Sequence, residues 1–447
     1  MVISIFQEIS GWGRYPKVKC KIYSPSEYSE IINLTVSPLI ARGLGRSYGD
    51  SSLQPKGTID TRKLNKILLF DQKKGIIQVQ SGISVASLIE HILPKGWFMP
   101  VSAGTKYVSI GGMVASDVHG KNHHLDGSFG NFIKEIKIIN KLKEIVTCSV
   151  DVKPELFWNT IGGMGLTGII VEVSFSLLAI QTSFIKNEVI TTRNLKETMM
   201  EFQSIKLSKY SVAWLDCTAS GTSIGRSIIF KGEHALRNKL PNNLSRDPIK
   251  VKVKKNINIP FTFPEWILNK FTIKIFNFLY YFINKNKNSK FIDYDTFFYP
   301  LDSISNWNLI YGKKGFIQYQ FVLPEDKSYE GIKQLIGIFQ KYNIYPFLSV
   351  LKLMGDSSKG TLSFPMKGYS LALDFPISKN LFKMLNEFDN LVIKYSGKVY
   401  LTKDSRINKK DYKEMYKNQL RNFDILKDNK SVKFSSLQSE RLDFFNL

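Results

Sequence analysis

Cysteine is scarce in this 447-residue chain. Cys20, Cys148 and Cys217 are too few and too scattered to frame a disulfide scaffold or a zinc site, so a reducing compartment, the cytoplasm, is expected. Long apolar runs are missing as well. None reaches 18 residues without polar or charged side chains, which argues against a spanning helix. The opening segment, MVISIFQEISGWGRYPKVKC, lacks a basic stretch followed by an apolar stretch and a small-residue cleavage site, so no secretory signal is expected. Acidic residues are in deficit: 38 Asp and Glu against 62 Lys and Arg leave a net charge of +24. Such a balance points to an anionic partner (nucleic acid, an acidic membrane surface or a phosphorylated substrate) or to a Lys-, Ile- and Asn-rich background composition. Internal repeats and low-complexity linkers are absent. Hydrophobic residues make up 43%, which is globular rather than disordered, and the length allows two sizeable cores.

Glycine is present but uneven. Thirteen of the 30 glycines fall within Arg42–Asp50, Val101–Gly130 and Gly162–Gly168. Glycine permits positive φ and close approach of a ligand to the main chain. Three such loops in the first 170 residues suggest one extended ligand held by backbone; ordinary tight turns are the bland alternative. Around them, 75–84, 131–140 and 168–178 read as strands and 85–96 as a helix ending at a Pro/Gly stop. Strands and helices mix without a strict βαβ repeat, so an α+β class is expected.

Further on, SVAWLDC and RSIIFKG read as strands. The segment 264–290 is aromatic and aliphatic, is interrupted by Asn269, Lys270, Lys274 and Asn277, and ends in three lysines. It reads as an element lying in a membrane interface against anionic lipid, or as a helix packed on the protein's own core. Strands are expected at 314–324, 344–355 and 369–377, and a helix at 379–397. Gln318 and Gln320 share one side of their strand. They line a polar pocket or form the wet face of an antiparallel sheet, and spacing alone favours the wet face.

Four clusters bear chemistry-capable residues. ARGLGRSYGD (41–50) offers main-chain N–H groups in a glycine turn, with Arg42 and Arg46 nearby, yet it is neither a GxGxxG nor a GK[ST] phosphate loop. GTKYVSIGGMVASDVHGKNHH (104–124) holds three of the five histidines, but no carboxylate or thiol spacing completes a metal site. A backbone-lined turn beside a cofactor, with His119 and Lys121 toward substrate and His123 and His124 as structural hydrogen-bonders, is more economical. GGMGLTG (162–168) leads into a strand. YLTKDSR (400–406) supplies Lys403, a base if desolvation lowers its pKa; an exposed salt-bridged turn is the alternative.

In this order, RGLGRSYGD, GTKYVSIGG, HGKNHH with GSFGN, LFWNTIGGMGLTGII, FIQYQFVLP, LKLMG, LSFP, DFPI and YLTKDSR resemble the decaprenylphosphoryl-β-D-ribose 2′-oxidases, flavoenzymes of the vanillyl-alcohol-oxidase type. The resemblance runs from about residue 10 to about 445. It implies an α+β, two-domain FAD-binding fold of the vanillyl-alcohol-oxidase (PCMH) type, with 1–180 and 398–447 binding FAD and an antiparallel-sheet substrate domain at 181–397. The implied FAD is non-covalent. Its implied contacts are Arg42, Gly43, Leu44, Gly45, Arg46, Ser47 and Tyr48 in the first loop. Gly104, Thr105, Gly111, Gly112, Ser116, His119, Gly120, Asn122 and His123 follow in the second, and Gly165, Thr167, Gly168 and Ile169 in the third.

The resemblance also implies the reaction: oxidation of a sugar secondary alcohol, the 2′-hydroxyl of a polyprenyl-phospho-ribose, to a 2′-keto sugar. Lys403, Tyr48 and His119 would be catalytic, with Lys403 the first candidate base. Lys121, Trp214, Gln318, Gln320, Lys352 and Ser370 would bind substrate. An NADH-dependent short-chain reductase would be the partner, and the inner face of the cell membrane an additional location. Metal and nucleic acid have no part in this reading. The chain departs from the family pattern at Ala372 (a cysteine there), Ser370 (Asn), Phe298 (Tyr) and Met354 (Phe), and FSSLQSERL (434–442) lacks the family's acidic residue. These changes leave redox chemistry intact and touch substrate identity. Two other classes remain to be separated: a soluble-sugar or aldonolactone FAD oxidase, and a basic membrane- or nucleic-acid-binding protein without catalysis.

Overall fold

A computed structural model describes residues 2–250, 256–285, 289–421 and 434–444. The basic run at 251–255, Lys287 of the segment 264–290, and parts of the C-terminal region (422–433 and 445–447) lie outside the described residues.

Three sheets carry the architecture. A four-stranded sheet joins Ser4–Ser10, Lys17–Tyr23, Thr58–Asp60 and Ile40–Arg42. A five-stranded sheet runs in the order Ile67–Asp71, Ile76–Gln80, Ile169–Ser176, Ile133–Ile139, Ile145–Ser149, with every pairing antiparallel. Its β-branched residues alternate as their sequence pattern predicts, and Ile77, Val79, Ile136, Ile138 and Val173 enter one core. The helix Val85–Ile92 adds Val85, Leu88, Ile89 and Ile92 to it. Ser84 caps this helix by accepting from the Ser87 N–H, and Gly96 at φ +80° reverses the chain after Pro94.

The third sheet has eight strands. Its order is Lys290–Asp293, Phe184–Thr192, Ser227–His234, Tyr210–Leu215, Leu348–Met354, Gly368–Pro376, Phe316–Pro324, Lys398–Val399. Helices Leu195–Ser204, Glu325–Tyr342 and Leu381–Lys394 cover one face, where Phe202, Ile336, Phe339, Met384 and Phe388 meet Tyr319, Phe321 and Phe375. The other face turns toward the glycine-rich loops. The last strand, Lys398–Val399, pairs with Phe321 and Val322, and the chain then returns to the N-terminal region. There Phe434 bridges to Leu39, and Arg441 pairs with Asp50 at 2.9 Å.

Spacing alone favours a wet face for Gln318 and Gln320, and the structure corrects that. Both amides are buried, and eight of the nine residues of Phe316–Pro324 are buried. Helices cover one face of the sheet and the glycine loops cover the other, so no face of this strand meets open water. The exposed-turn alternative for YLTKDSR fails likewise. Asp404 and Ser405 are buried, and Asp404 accepts from Arg441 at 2.8 Å and from the Arg406 and Ile407 N–H groups. Gly49 makes this packing possible: a Cβ there would stand 2.1 Å from the Asp404 carbonyl oxygen.

Candidate functional site

Between the eight-stranded sheet and the glycine loops lies a cavity of about 780 Å³. Sheet register explains one wall. Gln318 lies opposite Asp374 and Gln320 opposite Ala372; on the next strand Lys352 lies opposite Ser370, and Val350 lies opposite both Ala372 and Trp214. Side chains at alternate positions point to one face, so four neighbouring strands present Gln318, Gln320, Ser370, Ala372, Lys352 and Trp214 to a common space. The turn after Lys398–Val399 adds Tyr400 and Lys403, and the Tyr400 N–H bonds the Gln320 carbonyl at 2.8 Å.

The opposite wall is backbone-rich. Gly43, Leu44, Gly45, Arg46, Ser47 and Tyr48 line it from the first loop. Gly104, Thr105, Gly111, Gly112, Ser116, His119 and Lys121 follow from the second, and Gly165 and Gly168 from the third. Six of the residues expected at the cofactor do not line the cavity. Arg42 donates to the Ser10 carbonyl and to Ser52 Oγ. Asn122 donates to the Pro100 carbonyl and Asp126. His123 Nδ1 accepts from the Gly355 N–H at 3.0 Å. Thr167 bonds Thr160, Ile169 is buried in a separate apolar core, and Gly120 is packed against Asn122 and Ser102. The contacts of these six that the structure shows are to neighbouring parts of the chain.

The residues at the cavity fit a flavin dinucleotide. A Cβ at Gly104 would meet nothing within 4 Å and would stand in the cavity, and one at Gly112 would meet only Ser109 Oγ. Bare backbone is therefore presented where a flat or phosphorylated ligand must come close. Ser81 Oγ and His119 Nδ1 are buried and have no hydrogen-bond partner among the described residues, and both residues line the same space. Buried polar atoms of this kind are rarely left unpaired without a ligand or water.

Electrostatics divide the pocket residues by role. Gln320 Nε2 donates to Ser370 Oγ at 3.1 Å and lies 2.9 Å from His119 Nε2. An amide nitrogen only donates, so His119 Nε2 accepts and its proton sits on Nδ1. Burial, then Lys352, His123 and Lys403, hold the His119 pKa well below its ordinary value, and the ring is neutral. Lys403 lies 3.9 Å above the Tyr48 ring. Burial brings its pKa down to about 7, with Asp374 raising it and Lys352 lowering it. Burial alone brings Lys352 to about 8, and burial with Lys352 brings Lys121 to about 7. Lys121 donates to the Phe297 carbonyl. Tyr48 moves the other way: burial, then Asp374, lift its pKa well above the tyrosine range. Of the two candidate bases, only Lys403 is deprotonated in quantity near neutral pH.

Sequence reasoning missed Asp374. Its carboxylate accepts from Gln318 Nε2 at 2.6 Å and from the Tyr311 hydroxyl at 3.4 Å. Burial lifts its pKa to about 7, offset in part by Gln318 and Lys403. The available signal was period two: Ser370, Ala372 and Asp374 share the face that Gln318 and Gln320 oppose.

The FAD binding domain family matches residues 23–149. With this cradle and the buried amine beside it, the chain is an FAD-dependent oxidoreductase acting on a CH–OH group, built on a two-domain α+β fold of the PCMH type. Decaprenylphosphoryl-β-D-ribose oxidase of Mycolicibacterium smegmatis is 34% identical over 92% of this chain and 91% of its own length. An uncharacterised protein of Streptomyces coelicolor is 26% identical over 75% of the chain and 92% of its own length. L-galactono-1,4-lactone dehydrogenase 1 of Oryza sativa subsp. japonica is 26% identical, but over only 37% of the chain and 29% of its own length. The chain belongs to the decaprenylphosphoryl-β-D-ribose oxidase family. The reading without catalysis is set aside.

Proposed function

We propose that this protein oxidises the 2′-hydroxyl of a polyprenyl-phospho-ribose to the 2′-keto sugar. The observation that carries the reading is Lys403, an amine with its pKa near 7, set beside a wall of two fixed amides. The relative that shares 92% of the chain is named for a prenyl-phospho-ribose. The match to a lactone dehydrogenase covers only 37% of the chain, too little to argue for a shared substrate.

FAD, when bound, supplies a hydride acceptor for the carbinol carbon. Neutral Lys403 takes the hydroxyl proton as the C–H bond is lost, leaving the ketone and a lysine ammonium. Asp374 fixes Gln318, and Ser370 with His119 fixes Gln320, so both amides orient sugar hydroxyls without rotating. Lys352 and Lys121, with pKa values at about 8 and about 7, pair with the phosphate, whose negative charge favours the protonated form of both. Trp214 closes the side of the pocket against the Tyr280 ring at 4.9 Å. Ala372 and Phe298 line the cavity where the family has other residues, and they set which sugar and lipid fit best.

The keto sugar then passes to an NADH-dependent short-chain reductase, and the pair epimerises the 2′ carbon for cell-envelope glycan synthesis at the cytoplasmic face of the membrane. Anaerobic titration tests the first step. Polyprenyl-phospho-ribose should bleach the flavin absorbance, and water-soluble sugar lactones should not. Bleaching by lactones alone would assign a soluble-sugar oxidase instead.

A further inference from the structure

The helix Lys270–Asn284 is built inside out. Its buried residues are Ile273, Asn277, Tyr281 and Asn284, so two amides and a phenol face the protein. Asn277, only 2% exposed, donates to the buried Asp216 carboxylate at 3.0 Å, and that carboxylate is held by Arg226 at 2.8 Å. Tyr281 donates to the Thr192 carbonyl. The outward stripe is apolar. Phe271, Ile275, Phe278 and Phe282 stand at i, i+4, i+7 and i+11, with Leu279 and Ile283 beside them. Phe271 is 75% exposed, Ile275 60% and Ile283 65%. Trp266 and Phe261, just before the helix, are exposed too.

A helix in contact with water puts its polar residues outside. This one is pinned by polar residues inside, so its outer face is matched to an apolar medium and not to water. The surrounding charge says which medium. Among the described residues of 250–290, Lys250, Lys270, Lys274, Lys285 and Lys290 stand against one acid, Glu265, which is paired with Lys314. Basic residues flanking an apolar helix face suit an anionic lipid surface, where the ring side chains enter the acyl boundary and the ammonium groups meet phosphates. At 15 residues the helix is too short to cross a bilayer, and no helix among the described residues is long and apolar enough to do so.

The same helix borders the cavity. Phe276, Tyr280 and Asn284 line it, as do Val189, Trp214 and Leu348, and the Tyr280 ring meets Trp214 at 4.9 Å. We propose that the outer face of Lys270–Asn284 seats the protein on an anionic bilayer. We further propose that the space between Phe276 and Tyr280 on one side and Val189 and Leu348 on the other is the route by which a lipid-linked substrate's chain runs from the flavin cavity into that bilayer. The seating stands on the surface alone; the route rests on the polyprenyl reading given above.

Flotation of the full-length, FAD-loaded protein tests the seating without any substrate. The wild type should float with vesicles of phosphatidylcholine mixed with phosphatidylglycerol, and added salt should weaken the binding. Phe271→Asp with Phe278→Asp should bind at least about tenfold less; an unchanged flavin spectrum and melting midpoint show that the variant is folded. A wild type that stays in solution, or a variant that floats equally well, overturns the seating. Turnover tests the route. The double variant should keep its rate on a short-chain, water-soluble lipid-phospho-ribose and lose rate only on the long-chain form in vesicles. Equal loss on both, or on neither, overturns the route. A wild type inactive on both forms while binding vesicles would end the polyprenyl reading, and with it the route, and leave the seating standing.

Discussion

The strand Phe316–Pro324 and the helix Lys270–Asn284 break the same rule in opposite senses. The strand buries two glutamines in a wall where valine or isoleucine would be expected. The helix exposes phenylalanines and isoleucines where lysine or glutamate would be expected. On the readings proposed above, the odd face in each case serves a partner outside the chain. Amides inside mean that something polar enters the cavity. On the proposed seating, rings outside meet an apolar medium at the surface. Each inversion is held by a specific buried polar group: Asp374 fixes Gln318, and Asp216 fixes Asn277. A close-packed interior does not keep such groups without partners.

Three substitutions would break or sharpen that contrast. Lys403→Ala removes the proposed base from the polar wall. Turnover should fall by about 10²–10⁴-fold, while the flavin remains bound by its absorbance spectrum. Near-wild-type turnover would remove Lys403 from the mechanism. Asp374→Asn acts one step back. An anionic Asp374 raises the Lys403 pKa, so a neutral amide should let it fall. Because the base works deprotonated, kcat/KM rises with pH through the Lys403 pKa. In the variant the midpoint of that rise should shift to lower pH by about one unit. A profile that keeps its midpoint would show that Asp374 only packs. Asn277→Ala has the smallest effect. It removes one hydrogen bond from Asp216, which keeps Arg226 and Thr218. Urea unfolding should show a loss of about 1 kcal/mol, with turnover on a soluble substrate unchanged.

Much of the fold was legible in the chain. The strands at 76–80, 133–139 and 169–176 and the helix at 85–92 fall where alternation and the Pro/Gly stop placed them. The glycine clusters marked the backbone wall of the cavity. Arg42, Asn122 and His123 sit in the same stretches but bond neighbouring parts of the chain, because a motif shows which segment approaches a ligand and not which side chain turns away from it. Asp374 was hidden in DFPI, which reads only as a strand end. Its role depends on pairing with Gln318, 56 residues earlier in the chain.

What the sequence determined by itself was local. Period two grouped Gln318 with Gln320, and glycine placement fixed where backbone could be left bare. The ordered motifs pointed to the family. What tertiary structure decided was the medium on each face. Alternation tells which side chains share a side, but only packing tells whether that side meets water, helices, a cavity or open surface. Burial, which depends on every other element, then set the charge state of Lys403, lowering the pKa of an ordinary lysine into the range of a working base.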